Sequence, residues 1–119
     1  MKMIEMLKKF QLDEKTQKRL LRFSQKIKIG FLSSPFEEKS LEFLVKKLKI
    51  GIIKIPSGEI TNYPFLKRIG KTKKKIILST GMSNLDEVKN AIQVLFSSGI
   101  KRKDLTILHC NYYYPTNIK

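Results

Sequence analysis

Four short apolar stretches of this 119-residue chain end in groups that could do chemistry. They close on Ser33-Ser34-Pro35, on Lys54-Ile55-Pro56-Ser57-Gly58-Glu59, on Ser79-Thr80-Gly81 and on His109-Cys110-Asn111. Lys54 carries the most weight. It stands between Ile53 and Ile55, where an unpaired ammonium is costly. Such a lysine needs an anion. One reading is a phosphate or carboxylate ligand. The other is an internal ion pair, with Glu59 as the nearest partner in sequence, or a lysine on an exposed edge strand. The serines at neighbouring ends favour an anion site, because hydroxyls and loop N–H groups near helix starts bind phosphate well. Glu59 follows Gly58, which can turn the backbone sharply and aim the carboxylate inward for general acid/base work. An exposed turn carboxylate is the plainer alternative.

The last end is less telling. His109 is the single histidine, so a metal site needs ligands that this pair does not supply. His109 and Cys110 are adjacent, and neighbouring strand residues face opposite ways, which argues against a Cys–His nucleophile pair. A core histidine beside a small buried thiol is the simpler expectation. Tyr112-Tyr113-Tyr114 could stack a base or a sugar, or could pack a loop.

The elements that must position these ends alternate. Asp13 is a good N-cap, and Thr16, Leu20, Phe23 and Ile27 follow at helical spacing, so a helix is expected over 14–26. Residues 29–33 read as a short strand. Ser34-Pro35-Phe36-Glu37 reads as a capping box with proline at the first helical position, opening a helix with Leu41, Leu44, Val45 and Leu48 on one face. A strand over 51–55, a polar turn, and a helix over 64–69 stopped by Gly70 come next. A strand over 76–79 leads to a second box, Ser83 to Asp86. The helix over 85–98 should bury Leu85, Val88, Ile92 and Leu95 before Gly99 ends it. The last strand covers 105–110. Short, continuous apolar strands joined by helices specify an α/β fold with a parallel sheet, open or as part of a barrel. In both, sites gather at the C-terminal strand ends.

Composition sets the outer limits. The chain is 41% hydrophobic, enough for a core. A closed eight-stranded barrel takes roughly 250 residues, so barrel units here would be part of one. One cysteine allows no internal disulfide and fits a cytoplasmic setting. No apolar run approaches the ~20 residues that span a bilayer. The net charge of +15 raises the question of nucleic acid. Only four of the 25 basic residues are arginine, however, and groove readers lean on arginine's bidentate fork. The lysines are spread along the chain, which suits a solvated surface.

The strand ends, taken together, resemble a known family. Phe31-Leu32-Ser33-Ser34-Pro35-Phe36, Lys54-Ile55-Pro56-Ser57-Gly58-Glu59-Ile60-Thr61-Asn62, Ile77-Leu78-Ser79-Thr80-Gly81-Met82, and Leu108-His109-Cys110 with Tyr114-Pro115-Thr116 are similar, in order and spacing, to the sialic-acid synthases. The resemblance runs from about Phe10 onward. It implies a (β/α)8 barrel, of which this chain would supply about four parallel strands with their helices, as a single piece of the barrel domain over 1–119. It also implies phosphoenolpyruvate, an N-acetyl amino-sugar such as N-acetylmannosamine, and a divalent metal, manganese or magnesium. In the implied reaction the phosphoenolpyruvate methylene carbon attacks the sugar aldehyde, water adds to the resulting cation, and phosphate leaves.

Residue by residue, the resemblance places Lys54, Ser57 and Ser79 against phosphoenolpyruvate. Ser34 stands where threonine is usual and keeps the hydroxyl. Glu59 matches a glutamate that handles a proton or orients water. Pro56 departs from the family's alanine or glycine, and Tyr112-Tyr113 from a polar substrate contact. The family's two metal-binding histidines are expected beyond residue 119, and a further phosphoenolpyruvate-binding lysine before residue 1. An antifreeze-like domain that completes the site across a homodimer is expected beyond residue 119 as well. The isolated chain is therefore expected to be inactive, and its open strand edges should favour self-association. Two alternatives remain: another phosphoenolpyruvate-using 3-deoxy-sugar-acid synthase, and a small basic nucleic-acid-binding module with salt-dependent binding.

Overall fold

The computed structural model describes residues 3–111 and 113. The readings placed on Tyr112, Tyr114, Pro115 and Thr116 lie outside them. The chain divides into two compact units, Met1–Phe31 and Leu32–Lys119.

The first unit is helical. Helix α1 (Met3–Phe10) was not foreseen from the sequence, where Lys, Glu and Met alternate without an apolar core. Helix α2 (Glu14–Lys26) has the expected bounds, and Asp13 caps it by accepting from the Thr16 N–H at 2.7 Å. No residue of α2 is buried, and the apolar residues Leu20 and Phe23, with Ile27 at its C-terminal cap, are all exposed.

The second unit carries the sheet. Strands β1 (Ile52–Ile55), β2 (Lys75–Ser79) and β3 (Leu105–Leu108) run parallel in the order β1-β2-β3. Helix α4 (Tyr63–Lys71) joins the first two and α5 (Leu85–Ser97) the last two. The fourth expected strand, over 29–33, is reduced to one parallel bridge between Ser33 and Ile53 on the outer side of β1. A sequential order with α4 packed on α5 places both crossovers on one face. That is the winding of a barrel, and it removes the open doubly wound alternative. The fold is a partial (β/α)8 barrel.

Ile53, Ile55, Ile76 and Leu78 point into the helical layer and are essentially fully buried, together with Leu44, Leu66, Ile69 and Leu95. The pleat sends Lys54, Ile77, Ser79 and Thr106 to the other face.

Several local expectations are corrected. The helix after Ser33 starts at Glu38, not at Pro35. Glu37 is its N-cap, and the Ser40 hydroxyl bonds back to the Glu37 carbonyl at 3.0 Å. Pro35 is buried in the core, so residues 34–36 remain a connection and α3 (Glu38–Glu42) opens later. A π-turn over Phe43–Lys47 follows, with the Leu48 N–H bonded to the Phe43 carbonyl; Phe43, Leu44 and Leu48 still reach the core.

Gly70 does not stop α4 but lies buried within it. A Cβ there would stand 2.5 Å from the Ser98 Cβ, so glycine is what lets α4 and α5 approach. The cap of α5 is Asn84, one residue beyond the expected Ser83. Its side chain accepts from the Asp86 and Glu87 N–H groups while Glu87 bonds back to the Asn84 N–H. The buried positions of α5 are Ala91 and Leu95. Leu85 is exposed, and Val88 and Ile92 are only half-buried.

Candidate functional site

The site is built at the C-terminal ends of β1 and β2. In register, Lys54 pairs with Ile77, so Lys54 and Ser79 share one face, two residues apart along the strand direction. The lysine leans along the sheet and donates to the Ser79 hydroxyl at 2.7 Å and to the Ile55 carbonyl at 3.0 Å. Both acceptors are uncharged. An ammonium has three N–H donors, so one donor and the whole charge are left for a ligand. Ser79 is the one polar residue among the described residues counted as buried, 7% exposed. Burial pushes the pKa of the Lys54 ammonium below the ordinary lysine value, and the nearby Cys110 opposes that shift. The alternative, an internal ion pair between Lys54 and Glu59, does not form.

Ser57 sits in the tight turn Ser57–Glu59 directly after β1. Its hydroxyl accepts from the Gly81 N–H at 2.9 Å, binding the turn after β1 to the turn after β2. A Cβ on Gly81 would meet the Ser57 hydroxyl at 3.0 Å and the Cys110 Cβ at 3.6 Å, so the junction is closely packed around this glycine. Thr80 makes the next link, its hydroxyl donating to the Leu108 carbonyl at 2.9 Å. The structure thus brings Lys54, Ser57 and Ser79 together with Gly81 and Cys110. Ser34 stands beside them through its neighbour: the Ser33 carbonyl accepts from the Lys54 N–H at 3.3 Å. The Ser34 hydroxyl has no hydrogen-bond partner among the described residues.

Glu59 is held apart from this cluster. Its carboxylate accepts from the Asn62 side-chain amide at 2.8 Å, while the Asn62 oxygen caps α4 by accepting from the Phe65 N–H at 3.4 Å. Gly58 contributes no special backbone angle, and a Cβ there would meet nothing within 4 Å. Its expected role in the turn is not seen.

His109 and Cys110 are not the buried pair expected. His109 is exposed and Cys110 half-buried, and both line a groove of about 550 Å³ with Thr80, Met82, Leu85 and Ile107. Met82 turns the chain there with a left-handed φ of 59°. Sequence reasoning missed Cys110 as a neighbour of Lys54. Continuing the alternation of β3 through Thr106 and Leu108 points to it. Among the described residues, no three of His, Cys, Asp and Glu come together as metal ligands. These residues therefore do not fit the divalent metal implied by the resemblance, and no chemical step is assigned to it.

The NeuB family model matches residues 1–119. The chain belongs to the NeuB family. This NeuB chain is 50% identical over 112 residues to the N,N'-diacetyllegionaminic acid synthase of Campylobacter jejuni, covering 94% of this chain and 33% of that one. Its fold matches the N-acetylneuraminic acid synthetase of Leptospira borgpetersenii, solved with citrate. The TM-score is 0.83 at 29% identity, over 91% of this chain and 36% of that one. It also matches a spore coat polysaccharide biosynthesis protein E from Chromobacterium violaceum with a TM-score of 0.87 at 27% identity, over 99% and 34% of the two chains. The NeuB chain thus spans about a third of the length of these relatives. No helix among its described residues is long and apolar enough to cross a membrane.

Proposed function

We propose that this chain carries the phosphoenolpyruvate-binding part of a synthase that condenses phosphoenolpyruvate with an N-acetyl amino-sugar to make a sialic-type acid. One observation carries the reading. The Lys54 ammonium is half-buried at the C-terminal rim of a parallel sheet, and its partners among the described residues are neutral oxygens. A ligand anion supplies what this charge lacks. Charge-assisted hydrogen bonds from an ammonium to phosphate or carboxylate are about twice as strong as neutral ones.

The roles follow from position. Lys54 holds the anion, and Ser79 fixes the direction of its ammonium. Ser57 and Gly81 lock the two turns that frame the ligand, and Ser34 offers a free hydroxyl next to the Ser33 bridge beside β1. Glu59, on the same turn as Ser57 but bonded to Asn62, takes its role from the resemblance alone: once released from Asn62 it would handle a proton or orient water. Condensation joins the phosphoenolpyruvate methylene carbon to the sugar aldehyde carbon. Water then adds at the enol carbon, and phosphate leaves from that carbon. The names of the relatives support the product class, and the coverage of a third of their length assigns this chain only a share of the machinery.

The test is a calorimetric titration of the full chain with phosphoenolpyruvate, against Lys54→Met. We expect saturable binding, weakened in the variant by about 30-fold, the equivalent of ~2 kcal/mol for removing one side of a half-buried charge pair. Equal affinity in the two folded proteins sinks the assignment. So does no binding at all to the folded parent chain.

A further inference from the structure

A second concentration of positive charge lies at the other end of the sheet. Strands of a parallel sheet all start at one end, so the loops that enter them are neighbours. Here the approach to each strand is basic: Lys46, Lys47 and Lys49 ahead of β1; Lys71, Lys73 and Lys74 ahead of β2, with Lys75 its first residue; Lys101, Arg102 and Lys103 ahead of β3. The register brings them together, with Ile52 beside Lys75 and the Lys75 N–H bonded to the Gly51 carbonyl. The chain holds no carboxylate between Glu59 and Asp86 to offset the middle loop. Among the described residues, Lys46 alone of these ten has a salt bridge, to Glu42.

Within this end, a pocket of about 250 Å³ opens between the last two loops, lined by Lys73, Gly99, Ile100, Lys101, Lys103 and Asp104. Backbone geometry builds it. Lys73 adopts a left-handed φ of 53°, and its aliphatic stem crosses Gly99, where an added Cβ would meet the Lys73 Cε at 3.7 Å. Gly99, at φ 119°, turns the chain out of α5, and the tight turn Arg102–Asp104 closes the far wall with the Asp104 N–H on the Lys101 carbonyl. Three lysines and one carboxylate leave the pocket strongly positive. The volume is below the roughly 300–1,000 Å³ of sites for drug-sized ligands.

We propose that this pocket binds a compact polyanion of the diphosphate or triphosphate class. It lies at the opposite end of the strands from Lys54 and is independent of the reading given to that residue. Lysine suits this task as a point charge for phosphate oxygens, with no demand for bidentate geometry. Extended single-stranded nucleic acid is a poorer fit, because no aromatic residue stands in these three loops to stack a base.

The probe is inorganic pyrophosphate, titrated into the full isotopically labelled chain and followed by amide shifts. The expected result is a saturable response at Lys73, Gly99 and 101–104, retained in Lys54→Met. Each of Lys73→Met and Lys103→Met should weaken binding by about threefold, the size of one exposed ion pair. Equal affinity in a folded Lys73→Met/Lys103→Met double variant overturns the proposal. Shifts spread evenly over all three lysine loops also overturn it, since they report counterion condensation only. An oligonucleotide that binds this end while pyrophosphate gives no local response overturns it in favour of an extended polyanion surface.

Discussion

The Lys54 ammonium and the Ser79 hydroxyl meet at 2.7 Å across adjacent strands, on the face of the sheet turned away from the helices. The contact arranges charge without neutralising it. Ser79 is nearly buried, so its direction is fixed by packing, and the lysine is fixed through it.

A pH dependence follows from Lys54. Burial lowers its pKa from the ordinary lysine value of 10.5. Between the lowered native value and 10.5, the unfolded chain binds this proton more than the folded chain does. Stability therefore rises with pH through that window, and the cost of holding the charge is fully present below it. The difference in urea midpoint between the parent chain and Lys54→Met should narrow as pH is raised towards 10.5. A bound anion reverses the shift, so phosphoenolpyruvate binding should take up protons at alkaline pH, and calorimetry in two buffers of different ionisation heat will read that uptake. A constant difference between parent and variant across the window removes Lys54 as its source.

Ser57→Ala should cost stability as well as affinity. The Gly81 N–H loses its acceptor in a half-buried place, which costs about 1–3 kcal/mol for an unsatisfied donor. Ser79→Ala is a contrast, since it removes an acceptor from an ammonium that keeps the Ile55 carbonyl. Chemical denaturation should rank Ser57→Ala as the more destabilising of the two. The reverse order would mean that water replaces Ser57 at the Gly81 N–H.

The crossing of α4 and α5 rests on Gly70. An alanine there puts a methyl 2.5 Å from the Ser98 Cβ and 3.3 Å from the Leu95 carbonyl oxygen. Separating the helices should cost about 1–3 kcal/mol, the usual range for an overpacked core. In a Ser98→Gly background the same change should cost less, because its nearest obstacle is gone. A double-mutant cycle with no coupling shows that the helices do not meet at this point.

How much of this was legible depended on whether a residue's role is set locally. Asp13 caps α2 through a bond three residues away, and the sequence placed that helix to the residue. Ser83 and Asn84 both begin a capping pattern, followed by Asp86 and Glu87 respectively. Asn84 wins because Met82 is left-handed and the Ser83 N–H is tied to the Thr80 carbonyl, so Ser83 still belongs to the turn. Gly70 reads as a helix stop until α5 is packed against it. Leu85 keeps the helical spacing of the α5 apolar set, yet it stands exposed at the helix start. At the site, the resemblance selected Ser34, Lys54, Ser57, Ser79 and Glu59; the structure brings Lys54, Ser57 and Ser79 to neighbouring strand ends, with Glu59 bonded to Asn62 three residues on. Cys110 escaped a local reading, because its neighbours are set by the path of the turn after β3.

Helix ends offer a last prediction, and it is nearly free of tertiary context. At the end of α2 the Ile29 N–H bonds to the Ser24 carbonyl and the Lys28 N–H to the Gln25 carbonyl, with Lys28 left-handed at φ 59°. At the end of α5 the Ile100 N–H bonds to the Leu95 carbonyl and the Gly99 N–H to the Phe96 carbonyl, with Gly99 at φ 119°. The two ends share one hydrogen-bond pattern, filled by glycine in α5 and by lysine in α2. A lysine there bears the left-handed penalty of roughly 1–2 kcal/mol, while glycine gives back about 0.5–1 kcal/mol in unfolded-state entropy. Lys28→Gly should therefore stabilise the helical unit by about 0.5–1 kcal/mol, and Gly99→Ala should destabilise the sheet unit by at least as much. Far-UV melting of the first variant and urea denaturation of the second give the two signs. If Lys28→Gly lowers the melting point, the favourable interaction of the lysine charge with the helix C-terminus outweighs the strain of its backbone.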